Sequence, residues 1–113
     1  TMSDLKTLSS MPGAVAAFQF DGDGRLEDAV ITDEAAIDRE TLDLLGHLCV
    51  ANMAIGAMQA RGWEGMSDVQ GFYPVEGFTF VGLDWSAVAR GRQGVVLANN
   101  RADYDAAYKA LAG

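Results

Sequence analysis

The chain has 113 residues, half of them hydrophobic and 21% charged, with a formal net charge of −8. That balance suits one folded α+β domain of modest stability and excludes a disordered chain, which needs fewer apolar residues or far more charge. Its eight Lys and Arg residues are scattered singly, which excludes nucleic acid as a partner, because phosphate binding needs clustered basic side chains.

Thr1 precedes Met2, and the natural start is read at Met2; no basic segment followed by an apolar run opens the chain. Ser3 is placed to cap a short helix in which Leu5 and Leu8 share a face, and Pro12-Gly13 stops it. Ala14 to Phe20 alternates Ala16, Phe18 and Phe20 against Val15, Ala17 and Gln19, with both faces largely apolar, as in a central strand. Asp21-Gly22-Asp23-Gly24 marks a tight reversal. The return strand, Arg25 to Ile31, is more polar and belongs nearer the sheet edge.

Thr32 to Ile37 forms a linker, and Asp38 is the expected N-cap of a long helix running to about Arg61 and ended by Gly62. The first half is amphipathic, with Arg39, Glu40, Asp43 and His47 opposite Leu44, Leu45 and Leu48. The second half, Leu48 to Met58, carries no charge and is apolar almost all round, so it needs cover on every side. It is too short an apolar run to cross a bilayer, and no membrane insertion is expected. Small residues along it allow close approach of another helix. The predicted homodimer interface is therefore Gly46, Cys49, Ala51, Met53, Ala54, Gly56 and Ala57. The alternative is that Gly46 and Gly56 fit tightly against the sheet.

Beyond Trp63 comes a Gly-containing stretch and then Val69 to Phe72; Tyr73-Pro74 interrupts any central strand here, because proline cannot donate to a ladder. Gly77 to Asp84 is the next strand. Trp85 to Arg90 and Gln93 to Ala98 form a second hairpin around Gly91-Arg92. Asn100 is a candidate cap for a last helix with Tyr104, Ala107, Tyr108 and Leu111 on one stripe.

Candidate chemistry is sparse. His47 and Cys49 lie two apart on the helix, so their side chains diverge and do not clasp a metal together. Cys49 reads as a packing residue, and as the only cysteine it points to a reducing, cytoplasmic setting. The acidic residues Asp21, Asp23, Glu27, Asp28, Asp33 and Glu34 lack the downstream Glu of a calcium loop. Gly91-Arg92-Gln93-Gly94 is no phosphate loop, and Ser67 and Ser86 lack a nucleophile-elbow context. No catalytic residue, metal ligand or cofactor is expected. Trp63, Phe72, Tyr73, Pro74 and Trp85 form a candidate partner-binding patch, because amphipathic aromatics are favoured at interaction surfaces. Met53, Met58, Met66 and Phe80 are a candidate lining for a small-molecule pocket beside the helix.

The order α-β-β-α-β-β-β-α resembles the Roadblock (dynein light chain) superfamily. The resemblance rests on Met11-Pro12-Gly13-Ala14-Val15 leading into the first strand, the Asp21-Gly22-Asp23-Gly24 turn and the small-residue-rich central helix. The three-strand return with its closing helix completes it. Pro74…Gly77-Phe78 and Ala102-Asp103-Tyr104 look closer to an uncharacterised bacterial branch. The resemblance implies a profilin-like, five-stranded antiparallel sheet over residues 1–113, the long helix on one face and the terminal helices on the other. It also implies a homodimer paired through that helix and an edge strand. Such proteins act as non-enzymatic adaptors or scaffolds for another protein, often a small GTPase. Pro74 departs from the pattern: within the third strand it would shift edge pairing.

Overall fold

The computed structural model describes residues 2–113; the reading of Met2 as the natural start concerns Thr1, which lies outside the described residues. The elements are α1 (Leu5–Ser9), β1 (Ala14–Phe20), β2 (Leu26–Ile31), α2 (Arg39–Ser67), β3 (Gly77–Val81), β4 (Trp85–Arg90), β5 (Gln93–Ala98) and α3 (Tyr104–Ala110), with a 3₁₀ turn at Asn99–Arg101 before α3. The five strands form one antiparallel sheet in the order β2-β1-β5-β4-β3. The expected α+β element order and architecture are both present.

Alternation along the strands builds two cores, one on each face of the sheet. Ala17, Val88, Val95 and Leu97 pack against Leu5, Leu8, Ala107 and Leu111 of the terminal helical segments. Phe18, Phe20, Ala89 and Val96 pack against Leu42 and Cys49 of α2. The inner strands β1, β4 and β5 are almost wholly buried, as their apolar runs require. Ser86 and Gln93 are the buried polar residues among them, and the Gln93 amide is satisfied: Nε2 donates to the Ser3 carbonyl at 2.7 Å, and Oε1 accepts from the Ser3 N–H at 2.9 Å.

Several boundaries differ from the sequence reading. Asp4, not Ser3, accepts the capping bond of α1, from the Lys6 N–H. Asp103, not Asn100, caps α3 by accepting from Ala106. Asp38 caps α2 as expected, accepting from the Thr41 N–H at 2.8 Å. β3 ends at Val81 rather than Asp84, because Gly82 to Asp84 make the turn into β4. Pro74 lies in the loop before β3, outside the strand, and leaves its edge regular. The largest difference is α2: it passes through Gly62 and Gly65 and stops at Ser67, where Asp68 takes a left-handed conformation (φ 59°).

At 29 residues α2 is about 43 Å long and sets the long dimension of the molecule, whose extents are 46 × 29 × 28 Å. By length and composition alone it is long and apolar enough to cross a bilayer, although its uncharged core segment is not. One side of it is nevertheless built into the core. That side is Leu42, Gly46, Cys49 and Ala60, so only four of its 29 residues are buried.

Candidate functional site

The approach of α2 to the sheet is set by glycine against glycine. A methyl group at Gly46 would stand 2.5 Å from the Gly24 carbonyl oxygen and 3.1 Å from Cβ of Phe20. Gly24 has φ +92° and lies equally close to His47, so neither position has room for a side chain. Asp43 adds a polar tie, accepting from the Leu26 N–H of β2 at 2.8 Å. Gly46 and Cys49, expected at a dimer interface, are thus turned inward and packed within the protomer. Leu44, read with Leu45 and Leu48 opposite the charged residues, is 66% exposed.

The remaining residues expected at the interface are not buried. Ala51 and Ala54 are exposed, and Met53, Gly56 and Ala57 are half-buried. Gly56 lies in ordinary contact with Val75, whose methyls would be 3.7 Å from an added Cβ. Between Leu44 and Met66, the outer side of α2 carries Leu48, Ala51, Ile55, Met58 and Gly62. Met58 is 74% and Met66 89% exposed. Spacings of three and four residues keep this stripe on one side of the helix. It forms a continuous apolar surface of the kind that marks interaction sites.

The C-terminal end of α2 is a small folded unit. Glu64 Oε2 accepts backbone N–H bonds from Gly71 (2.8 Å), Phe72 (2.8 Å) and Tyr73 (3.1 Å), drawing the loop back onto the helix. These donors, Tyr73 foremost, hold the Glu64 carboxyl below the usual glutamate range. Arg61 donates to the Tyr73 hydroxyl at 2.6 Å, and the Trp63 and Phe72 rings meet edge-on at 5.6 Å. Four of the five residues of the expected partner patch, Trp63, Phe72, Tyr73 and Pro74, therefore lie in this tip. Trp85 does not join them. It stands with Phe80 at the other end of the sheet, lining an apolar cleft of about 200 Å³ with Ile37, Thr41, Leu45 and Val96.

Of the four residues expected to line a pocket beside the helix, only Phe80 borders this cleft. Met66 borders a shallow surface at the tip with Trp63 and Phe72. Periodicity places Met58 on the outside of α2 but does not place the cleft, because that depends on how far α2 covers the sheet.

The shifted titratable groups each have a structural cause. Burial pushes the Cys49 thiol up to about 12, which keeps it neutral and unreactive. Backbone donors lower the pKa of Asp21 in the β1–β2 turn and of Asp38 at the α2 cap. His47 Nδ1 lies 2.7 Å from the Asp43 carbonyl oxygen on the surface of α2. Among the described residues no group of three or more His, Cys, Asp or Glu is placed to hold a metal ion. The buried Ser86 hydroxyl bonds Asn99 and Tyr104, and Asn99 in turn donates to the carbonyls of Gly82 and Leu83, fixing the β3–β4 turn. This network is structural.

Comparison of the fold with solved structures finds a Roadblock/LC7 domain from Streptomyces avermitilis at TM-score 0.69 and 14% identity, covering 96% of this chain and 85% of that one. A structure described as MglB with tetrameric arrangement gives TM-score 0.63 at 14% identity over 96% and 85% of the two chains. The gliding protein MglB from Thermus thermophilus gives 0.63 at 17% identity over 96% and 82%. A comparison with curated protein sequences finds no significant match. The fold is that of the Roadblock superfamily, as the residue pattern implied, and by sequence over residues 4–113 the chain belongs to the family described as uncharacterized conserved protein DUF2173.

Proposed function

We propose that this protein is a non-enzymatic homodimeric adaptor that regulates another protein, a small GTPase or an enzyme complex, in the cytoplasm. The observation that carries the reading is the uncovered apolar stripe of α2, in a domain that also has a free sheet edge at β3. β3 ends the sheet and has no charged residue in Gly77–Val81, so its unpaired N–H and C=O groups are unprotected. A second copy related by a two-fold axis covers both surfaces at once: β3 pairs with β3, and α2 lies beside α2. The solved relative described as tetrameric supports self-association as a property compatible with this fold.

Light scattering of the purified chain, wild type against Ile55→Arg, tests the proposal. The wild type is expected at twice the 12.0 kDa chain mass, and the variant at the chain mass with its fold retained. A wild-type monomer at micromolar concentration sinks the reading. The cleft at Phe80 and Trp85 favours a second reading, a small-molecule sensor or carrier. An apolar compound released on denaturation and seen by mass spectrometry would support it.

A further inference from the structure

The cleft and the tip occupy opposite ends of the same strand. Leu45, near the start of α2, borders the cleft together with Phe80, near the end of β3. Towards its other end α2 meets the segment leading into β3, with Gly56 against Val75. Leu45 and Trp63 are separated by about five helical turns, or roughly 27 Å, which returns them to the same flank of α2. At its cleft end that flank lies across from Phe80 of β3, the free edge strand of the sheet.

We infer that Trp63 of one copy fills the apolar cleft of a second copy, so that each cleft is completed only by its partner. The inference rests on the homodimer reading. A two-fold axis between two antiparallel β3 edges exchanges the ends of the strand. It therefore carries the tip of one copy to the cleft of the other, twice by symmetry. Phe80 and Trp85 are 48% and 42% exposed, so the cleft opens at the surface beside the free edge. An apolar cavity of about 150 Å³ takes a benzene molecule, so a cleft of about 200 Å³ has room for an aromatic ring. Trp63 is 54% exposed and braced by Phe72, and the loop behind it is clamped by Glu64. A ring held in place before contact loses little freedom on docking.

The test puts the photoreactive benzoylphenylalanine at position 63 of the full chain, mixes ¹⁵N-labelled with unlabelled protein, irradiates, and maps the products by mass spectrometry. The expected result is mixed-isotope products joining position 63 to the peptides that hold Ile37–Leu45 or Phe80–Trp85. A dimer by light scattering whose mixed-isotope products lie elsewhere, or which gives none, overturns the inference and leaves the homodimer standing. A monomer overturns both. Trp63→Ala supplies a second readout that leaves the core intact, with self-association weakened about tenfold or more at an unchanged melting curve. Unchanged association of that variant overturns the inference as well.

Discussion

The two edges of the sheet are built oppositely. β2 carries the exposed acids Glu27 and Asp28 and is tied to α2 by Asp43, so its edge is charged and anchored. β3 carries Phe78, Thr79, Phe80 and Val81 and has only its own turn and loop beside it. Charge on a sheet edge blocks pairing with another chain, and its absence permits pairing. One edge of this domain is charged and tied down within the protomer, and the other is uncharged and unpaired.

The comparison breaks most visibly at Thr79. Thr79→Lys puts a charge at the middle of the β3 edge, and the proposed dimer is expected to dissociate at least about tenfold more readily. Glu27→Lys on β2 is expected to leave the mass by light scattering unchanged. Equal effects of the two substitutions would erase the distinction between the edges. The next largest effect falls on the finished side. Gly46→Ala forces α2 off the β1–β2 turn and is expected to destabilise the fold by about 1–3 kcal/mol in urea unfolding. An unchanged midpoint would mean that the glycine contact is not tight. Asp43→Ala removes the acceptor of the Leu26 N–H and is expected to cost about 1 kcal/mol in the same measurement.

The smallest effect is local to the tip. The folded pKa of Glu64 is depressed, so its clamp is fully formed above the ordinary glutamate pKa and is lost as pH falls through the lower, folded value. The protection factors of the Gly71, Phe72 and Tyr73 amides, taken after removing the intrinsic slowing of exchange in acid, are therefore expected to fall as pH falls. In Glu64→Gln these amides are expected to be weakly protected at every pH, with global melting little changed. Strong protection in that variant would show that the carboxylate does not hold the loop.

Much of this architecture is legible along the chain. The Asp21-Gly22-Asp23-Gly24 turn and the Gly91-Arg92 turn place two hairpins, because few residues tolerate the backbone such reversals need. Asp38 marks the start of α2 because its carboxylate satisfies a free N–H there. The end of α2 is not legible at Gly62. Glycine costs a helix only about 1 kcal/mol relative to alanine, and the packing of Trp63 on Phe72 with the Glu64 clamp offsets that through contacts with the loop that folds back after the helix. The spread of the expected interface residues has the same origin. Small side chains at Gly46 and Ala51 look alike in sequence, yet one meets the Gly24 backbone and the other is exposed.

The sequence by itself determined the element order, the two hairpins, the two-faced inner strands and a helix too apolar to stand uncovered. Those features follow from local backbone preference and from the periodicity of side chains along each element. Only the tertiary structure decided which side of α2 is already covered, which sheet edge is free, and that the tip and the cleft lie at opposite ends of β3. Those depend on how separate elements are placed against one another, through contacts such as Gly24 with Gly46 and Glu64 with the Gly71–Tyr73 backbone.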